Sequence, residues 1–177
     1  GPPQRQWAKL PDGHAWGTTA GIEIGPHGEI WAIDRCGGTT CDGSNRAVVH
    51  QIDPKTGKPI RSIGAGLFAL PHGLHVDKDG NVWVTDYADN APRGGRGVRG
   101  PTGAAGGATK GHQVIKFSPE GKVLLTLGTA GGAVAGANDT GYFYQPNDVL
   151  VAPNGDIFVS QGHGRGVRAS AHRPALR

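Results

Sequence analysis

The amino-acid sequence contains the segment GNVWVTD at residues 80–86, and close counterparts stand at residues 28–34 (GEIWAID) and 155–161 (GDIFVSQ). Each copy opens with a glycine, continues through mainly apolar residues and ends on an acidic or amide side chain. A segment that returns in this way is typical of a repeat protein, in which every copy forms the same small structural unit. We call these three stretches the repeat segments.

Short apolar runs flank the repeat segments and extend each unit to four strands. Runs at residues 20–24, 73–77 and 148–152 precede the three segments. Runs at residues 50–54 and 112–117 follow the first two, and each leads through a Gly-Lys pair into a further strand-like stretch. Four-stranded units in series, with no helical periodicity between them, indicate a β-propeller. The sequence therefore predicts an all-β fold.

The predicted units do not complete a ring. Two are complete, at residues 18–69 and 70–141, and the third stops after its second strand near Gln161. A partial propeller domain is therefore expected at residues 17–163, followed by an irregular tail at residues 164–177 that a truncation or a shifted reading frame would explain. About two and a half blades are predicted, whereas closed propellers have four or more. The open blade is expected to promote self-association through its apolar face.

Composition and charge restrict the classes of function. The 32 Gly among 177 residues recur with the repeats, which favours many tight turns over low complexity. Much of the positive charge comes from arginines in the 93–99 loop and near the C-terminus, which form neither a helical face nor an aromatic-lined sheet. We therefore expect no nucleic-acid partner. No run approaches the roughly 20 apolar residues of a membrane-spanning helix, so no membrane span is expected.

The two cysteines, Cys36 and Cys41, lie close together in a loop rich in Gly and Thr. A disulfide between them is favoured over two reduced thiols, and it would suit a secreted or periplasmic protein. A zinc knuckle is disfavoured, because no second Cys or His pair follows at ligand spacing.

Three stretches of the chain resemble a known family. Residues 68–86 (FALPHGLHVDKDGNVWVTD), 112–119 (HQVIKFSP) and 144–149 (YQPNDV) are similar to the peptidyl-α-hydroxyglycine α-amidating lyases, and the likeness extends over residues 16–163. The Pro-His-Gly-Leu run at residues 71–74 makes this match more specific than that of a generic NHL repeat. The resemblance implies a six-bladed β-propeller of the NHL type, of which this chain holds a part.

The resemblance also implies roles for five residues. His72 falls where the family has one of three zinc-binding histidines, and Ile22 and Leu74 fall where backbone carbonyls bind a structural calcium. Arg35 matches an arginine that binds substrate and stabilises developing charge, and His163 stands at the position of a catalytic tyrosine. The chain departs from the family at that last position and again two residues earlier, where an amide replaces Asp.

Residue chemistry alone leaves simpler roles open. His72 would equally cap a strand by hydrogen bonding to nearby backbone. Arg35 would equally cover the cysteine loop or pair with Asp34 or Asp42. Three further histidines are expected at the surface or at strand edges, namely His50, His75 and His112.

The resemblance predicts a zinc-dependent lyase that, in the intact parent protein, cleaves a C-terminal hydroxyglycine into an amide and glyoxylate. Its substrate would be a small carbinolamide or a peptide C-terminus, and its metals would be catalytic zinc and structural calcium. Two other functions stay open. One is a non-catalytic NHL propeller that binds a protein, a glycan or another ligand through rim loops at residues 37–46 and 88–110, and the other is an inactive fragment.

Overall fold

The computed structural model describes residues 7–91, 107–132, 141–162 and 168–172, and these residues form strands joined by turns and loops. Within those ranges, no helix is long and apolar enough to cross a membrane. The all-β class predicted from the repeat segments is confirmed. The strands are, in chain order, β1 (Ile22–Ile24), β2 (Ile30–Ile33), β3 (Val49–Ile52), β4 (Pro59–Ile63), β5 (Pro71–Val76), β6 (Val82–Asp86), β7 (Gln113–Phe117), β8 (Val123–Leu127), β9 (Pro146–Val151), β10 (Ile157–Gln161) and β11 (Arg168–His172).

The strands form three antiparallel sheets, one for each repeat segment. The first has the order β1-β2-β3-β4, the second β5-β6-β7-β8 and the third β11-β10-β9. The four-stranded unit expected from the sequence is confirmed in the first two sheets. Strand β5 contacts both β1 and β9, so the first strands of the three sheets adjoin one another. Sheets stacked in series with their first strands together are the arrangement of a β-propeller.

The turn before each repeat segment depends on a glycine. Gly28, Gly80 and Gly155 have φ values between 79° and 89°, in the left-handed region that other residues rarely adopt. Each donates its N–H to the carbonyl oxygen three residues earlier, at 2.8 to 2.9 Å. The turn reverses the chain between the first and second strands of a sheet, as the hairpin pattern predicts.

Strand β11 differs from the sequence-based expectation of an irregular tail. It pairs antiparallel with β10 along the whole strand, from Ile157 opposite His172 to Gln161 opposite Arg168. The third sheet is therefore three-stranded, where the sequence indicated two strands. The sequence of β11, RASAH, lacks the apolar alternation that marks the other strands, so the pattern did not predict it. The strand can still pair, because pairing uses backbone N–H and C=O groups that every residue except proline carries. The boundary predicted at residue 163 stays a prediction.

Two hydrophobic clusters hold neighbouring sheets together. The first joins Trp31 and Ile33 of the first sheet to Leu74 and Val76 of the second sheet. The second joins Trp83 of the second sheet to residues of the third sheet, and its buried members are Trp83, Val114, Phe143, Val149, Ile157 and Val159. The tryptophans of the first two repeat segments thus pack between their own sheet and the next.

The disulfide favoured from the sequence is confirmed between Cys36 and Cys41. The N–H of Cys41 and the hydroxyl of Thr40 both donate to the carbonyl oxygen of Ala69, at 2.8 and 2.7 Å. Since Ala69 lies just before β5, the cysteine loop of the first sheet is fixed against the entry to the second sheet.

Candidate functional site

The last residue of the second repeat segment, Asp86, closes its own sheet at one rim. Its carboxylate accepts the N–H groups of Ala69 and Leu70, at 2.9 and 2.6 Å. The side chain is 1% exposed, and burial raises the pKa of Asp86 to about 7, against the opposing effects of the two N–H donors and the Lys110 charge. Asp86 therefore holds the segment that leads into β5.

The last residues of the other two repeat segments accept backbone N–H groups in the same way. Asp34 accepts the N–H of Gly17 at 2.6 Å, on the segment that leads to β1. Gln161 accepts the N–H of Tyr144 through its Oε1 atom at 2.9 Å, on the segment that leads to β9. The amide that replaces an acid in the third copy thus keeps the structural contact, because an amide oxygen accepts an N–H as a carboxylate does.

Arg35 connects the first two sheets at this rim. Its Nε donates to the carbonyl oxygen of Pro71 at 2.9 Å, so the guanidinium lies beside the first residue of β5. Burial lowers the pKa of Arg35, and a guanidinium stays charged in proteins. Within the described ranges no ion pair joins Arg35 to Asp34 or Asp42; the simpler pairing that the sequence left open is not formed.

Gly73 allows β5 to approach β9 closely, and this approach orients His72. A Cβ atom on Gly73 would lie 2.5 Å from the carbonyl oxygen of Asn147. The same oxygen lies 2.9 Å from Nδ1 of His72. Because a carbonyl oxygen only accepts, Nδ1 carries the hydrogen in this contact. His72 is thus bonded to backbone, as one sequence interpretation proposed, but to backbone of the neighbouring sheet.

Aromatic side chains beside His72 were not predicted as part of the site. The rings of His72 and Tyr87 have centroids 5.3 Å apart. Burial raises the pKa of Tyr87, and the proximity of Tyr144 acts in the same direction. Tyr144 in turn stacks on His112 with 5.7 Å between ring centroids. The signal available in the sequence was position, because Tyr87 directly follows a repeat segment.

Of the three further histidines expected at the surface or at strand edges, two are buried. His50 and His112 are 2% and 6% exposed, and His75 is partly buried. Each ring has a polar partner that makes this burial tolerable. His112 bonds through Nε2 to the Asp89 carboxylate at 3.1 Å and accepts the N–H of Gln145 at Nδ1, while burial lowers the pKa of His112.

Three residues with predicted roles remain, namely Ile22, Leu74 and His163. Ile22 and Leu74 occupy corresponding positions in the first strands of adjacent sheets, since Ile22 pairs with Ala32 and Leu74 with Val84. Their binding of calcium stays a prediction. His163 lies outside the described residues.

The donor set can be compared with what zinc requires. A metal-ligating histidine usually donates its second ring N–H to a carboxylate or a backbone carbonyl, and His72 does so to Asn147. Catalytic zinc needs three protein ligands. In the part of the chain that the structure describes, no three His, Cys, Asp or Glu side chains group in a way that could hold a metal. His72 therefore suits one ligand position, and the described residues do not make a whole site.

Comparison with known proteins agrees with the repeat architecture. Residues 68–91 match the family model of the NHL repeat. These residues run from the entry of β5 through β6, and they include His72, Asp86 and Tyr87. The second sheet thus contains a segment that matches the NHL repeat.

The chain is similar to enzymes that act in peptide amidation. It is 39% identical over 114 residues to peptidyl-glycine alpha-amidating monooxygenase B of Xenopus laevis, covering 63% of this chain and 10% of the relative. It is 35% identical over 120 residues to peptidyl-alpha-hydroxyglycine alpha-amidating lyase 1 of Drosophila melanogaster, covering 66% and 17%. A probable lyase of the same description from Caenorhabditis elegans is 29% identical over 161 residues, covering 83% and 39%.

These matches confirm the resemblance seen in the sequence: the chain contains a match to the NHL repeat and is similar to the peptidyl-α-hydroxyglycine α-amidating lyases. The chain spans less than half of the length of each of these relatives.

Proposed function

We propose that this chain supplies part of the active site of a peptidyl-α-hydroxyglycine α-amidating lyase. The observation that carries the proposal is the bond from Arg35 of the first repeat to the carbonyl oxygen of Pro71, the residue that precedes His72 in β5. The Arg35 side chain is thus held against the backbone of the strand that carries His72.

The proposed reaction acts on a carbinolamide, in which an amide nitrogen, a hydroxyl group and a carboxylate share one carbon. The C–N bond breaks, and the hydroxyl oxygen becomes the aldehyde oxygen of glyoxylate. The hydroxyl group loses one proton, and the amide nitrogen gains one. No oxidant or reductant is needed. The Arg35 guanidinium would bind the substrate carboxylate through paired N–H donors and so orient the bond that breaks.

His72 would contribute to a zinc site through its Nε2 atom, because Nδ1 is engaged with the Asn147 carbonyl. Bound zinc would act as a Lewis acid on a substrate oxygen. The other ligands are assigned to residues outside those that the structure describes. We further propose that backbone carbonyls of Ile22 and Leu74 bind a structural calcium, and that His163 takes part in proton transfer at the position of the family's tyrosine.

The disulfide supports a further part of the proposal, namely that the protein acts in a secreted or periplasmic setting. Disulfides persist in oxidising compartments and are rare in the cytosol. The Cys36–Cys41 bond closes a loop whose residues 37–40 are exposed.

The test combines turnover with metal content. The intact parent protein that contains this chain is loaded with zinc and incubated with a peptide that ends in α-hydroxyglycine, and released glyoxylate is measured. We expect glyoxylate release above the rate seen with zinc and peptide but no protein. We expect His72→Ala to lose both glyoxylate release and bound zinc. His27→Ala is the matched control, because His27 is exposed in a turn and only its backbone N–H is bonded. No release at any zinc load, or equal zinc content in His72→Ala, would overturn the proposal.

A second candidate is non-catalytic ligand binding at the same rim. The cysteine loop favours it, because the disulfide and the two bonds to the Ala69 carbonyl hold this exposed loop in one conformation. A preorganised loop loses little conformational entropy when a ligand binds. Binding of the hydroxyglycine peptide without glyoxylate release, unchanged by removal of zinc, would favour this candidate over the lyase.

A further inference from the structure

The cysteine loop and Arg35 hold the second sheet at two points, and the disulfide joins these points. The first is the side chain of Arg35, whose Nε atom donates to the carbonyl oxygen of Pro71 at 2.9 Å. The second is the backbone N–H of Cys41, which donates to the carbonyl oxygen of Ala69 at 2.8 Å. Cys36 directly follows Arg35 and is bonded to Cys41. The disulfide therefore links the residue after Arg35 to a contact made two residues before Pro71.

The peptide path between the two cysteines is a weaker link than the disulfide. Residues 37–40 are exposed and begin with Gly37 and Gly38. The N–H of Gly38 donates to the Arg35 carbonyl oxygen at 2.8 Å, which orders the start of this loop. Because glycine has a wide choice of backbone conformations, an open loop of this composition would let Arg35 and Cys41 shift relative to each other. The disulfide replaces that variable path by two short side chains.

The backbone of Cys36 has a conformation that its residue type disfavours. Its φ angle is 55°, in the left-handed region that glycine adopts readily and residues with a Cβ atom adopt rarely. The carbonyl oxygen of Cys36 accepts an N–H from Nη1 of Arg46 at 3.3 Å, and its side chain is constrained by the bond to Cys41. Without the disulfide, Cys36 would relax toward negative φ angles. This rotation would change the path of the chain directly after Arg35.

We propose that the Cys36–Cys41 disulfide positions Arg35 for substrate binding, so that reduction of this bond switches the site to a low-affinity state. The inference rests on the proposed role of Arg35 in binding the substrate carboxylate. The bond to Pro71 engages Nε, and the other N–H donors of the guanidinium pair with the carboxylate in one fixed orientation. In the reduced protein Arg35 adopts several orientations, and a smaller fraction of molecules presents the binding one.

Reduction by a dithiol is a balanced exchange. Cys36 is partly buried and Cys41 is 1% exposed, so the thiolate of the dithiol attacks the sulfur of Cys36. The S–S bond breaks, its electron pair passes to the Cys41 sulfur, and a mixed disulfide forms at Cys36. The second thiolate of the dithiol then attacks the dithiol sulfur of this mixed disulfide and releases Cys36. The dithiol is oxidised to its disulfide, and its two protons end on the two cysteines.

Two double variants of the intact parent protein that contains this chain separate positioning from stability. Cys36→Ser with Cys41→Ser removes the bond and leaves a residue that disfavours a φ of 55°. Cys36→Gly with Cys41→Ser also removes the bond, but glycine adopts this φ readily. We expect kcat/KM for the hydroxyglycine peptide to fall at least about tenfold in the serine variant, and we expect the glycine variant to recover at least about threefold. A disulfide that only stabilised the fold would affect both variants alike.

The position of Arg35 is measured without substrate by NMR of the same protein labelled with ¹⁵N. The Arg35 Nε–H signal is assigned from its loss in Arg35→Gln, and its exchange with solvent reports the bond to Pro71. We expect slow exchange in the oxidised protein, and exchange at least about tenfold faster with dithiothreitol or in the serine variant. Dithiothreitol should leave the glycine variant unchanged, which assigns the effect to this disulfide.

Far-UV circular dichroism and zinc content establish that each protein stays folded and metal-loaded in these assays. The proposal is overturned by fast Nε–H exchange in the oxidised protein, by exchange or kcat/KM that dithiothreitol does not change, or by a glycine variant no better than the serine variant. If even the oxidised wild type releases no glyoxylate, the proposed lyase function fails. The Nε–H exchange then still decides whether the disulfide positions Arg35.

Discussion

Replacing His50 by isoleucine should remove a large part of the acid sensitivity of the fold. Strand register places His50 opposite Ala32, at the position that Ile115 occupies in the second sheet. The His50 side chain is 2% exposed and bonds through Nδ1 to the Ser62 hydroxyl at 2.8 Å. Among the described residues, no hydrogen-bond partner lies near its Nε2 atom. A proton added there would be a buried charge without a hydrogen-bond acceptor, and the attraction of Asp34 and Asp12 offsets the cost of burial only in part.

The magnitude follows from the pKa of His50, which burial lowers from 6.5 to about 4. As the pH falls through 6.5 the unfolded chain takes up a proton at this position, while the folded protein does so only near pH 4. The unfolded state therefore binds more protons in this window, and the stability of the folded state falls with the pH. A shift of this size corresponds to about 3 kcal/mol between pH 7 and pH 4.

Urea denaturation of wild type and His50→Ile at matched protein concentration, from pH 7.5 to pH 4, measures the effect. We expect the stability of the variant relative to wild type to increase by about 3 kcal/mol as the pH falls across the window. His27→Ala, at an exposed turn, should keep the wild-type profile. Parallel pH profiles for His50→Ile and wild type would refute the assignment of a neutral, buried His50.

Three further variants test the contacts that build the rim. Asp86→Asn leaves one of two buried N–H groups without its acceptor and should lower the unfolding free energy by about 1–3 kcal/mol in urea denaturation at pH 8. Gly73→Ala puts a Cβ atom against the Asn147 carbonyl oxygen. It should lower the unfolding free energy by about 1–3 kcal/mol in the same urea assay, with loss of zinc binding. An unchanged urea midpoint would contradict the close approach. Replacing Cys36 and Cys41 together by serine should lower the unfolding free energy by about 2 kcal/mol, a modest loss because the closed loop is short. Equal urea midpoints of the wild type with and without reductant would contradict this contribution.

The sequence was informative where side-chain pattern and structure coincide. The repeat segments predicted β2, β6 and β10, and their opening glycines predicted the turns, because a positive φ and a buried strand each select particular residue types. The resemblance brought Arg35 and His72 into one hypothesis, and Arg35 bonds to the carbonyl oxygen of Pro71, the residue before His72; their roles stay a prediction. The disulfide followed from the spacing of its two cysteines.

Other features could not be predicted because they depend on contacts between distant parts of the chain. Strand β11 pairs through backbone and carries no apolar alternation. His50 was expected at the surface or at a strand edge, although alignment of the repeats places it at a core position. Gln161 was treated as a departure from the family, yet it holds the Tyr144 N–H as an acid would. In each case the residue type was a weaker guide than its place in the repeat.

The most direct test of the central claim is the dependence of glyoxylate release on Arg35 and on the substrate carboxylate together. The rates for Arg35→Gln and wild type are compared on the α-hydroxyglycine peptide and on its methyl ester, with Arg46→Gln as the control because Arg46 is largely exposed. The account predicts that Arg35→Gln lowers kcat/KM at least about tenfold on the acid and little on the ester, because only the acid offers a charged partner. Equal losses on both substrates, or no loss on the acid, would contradict it.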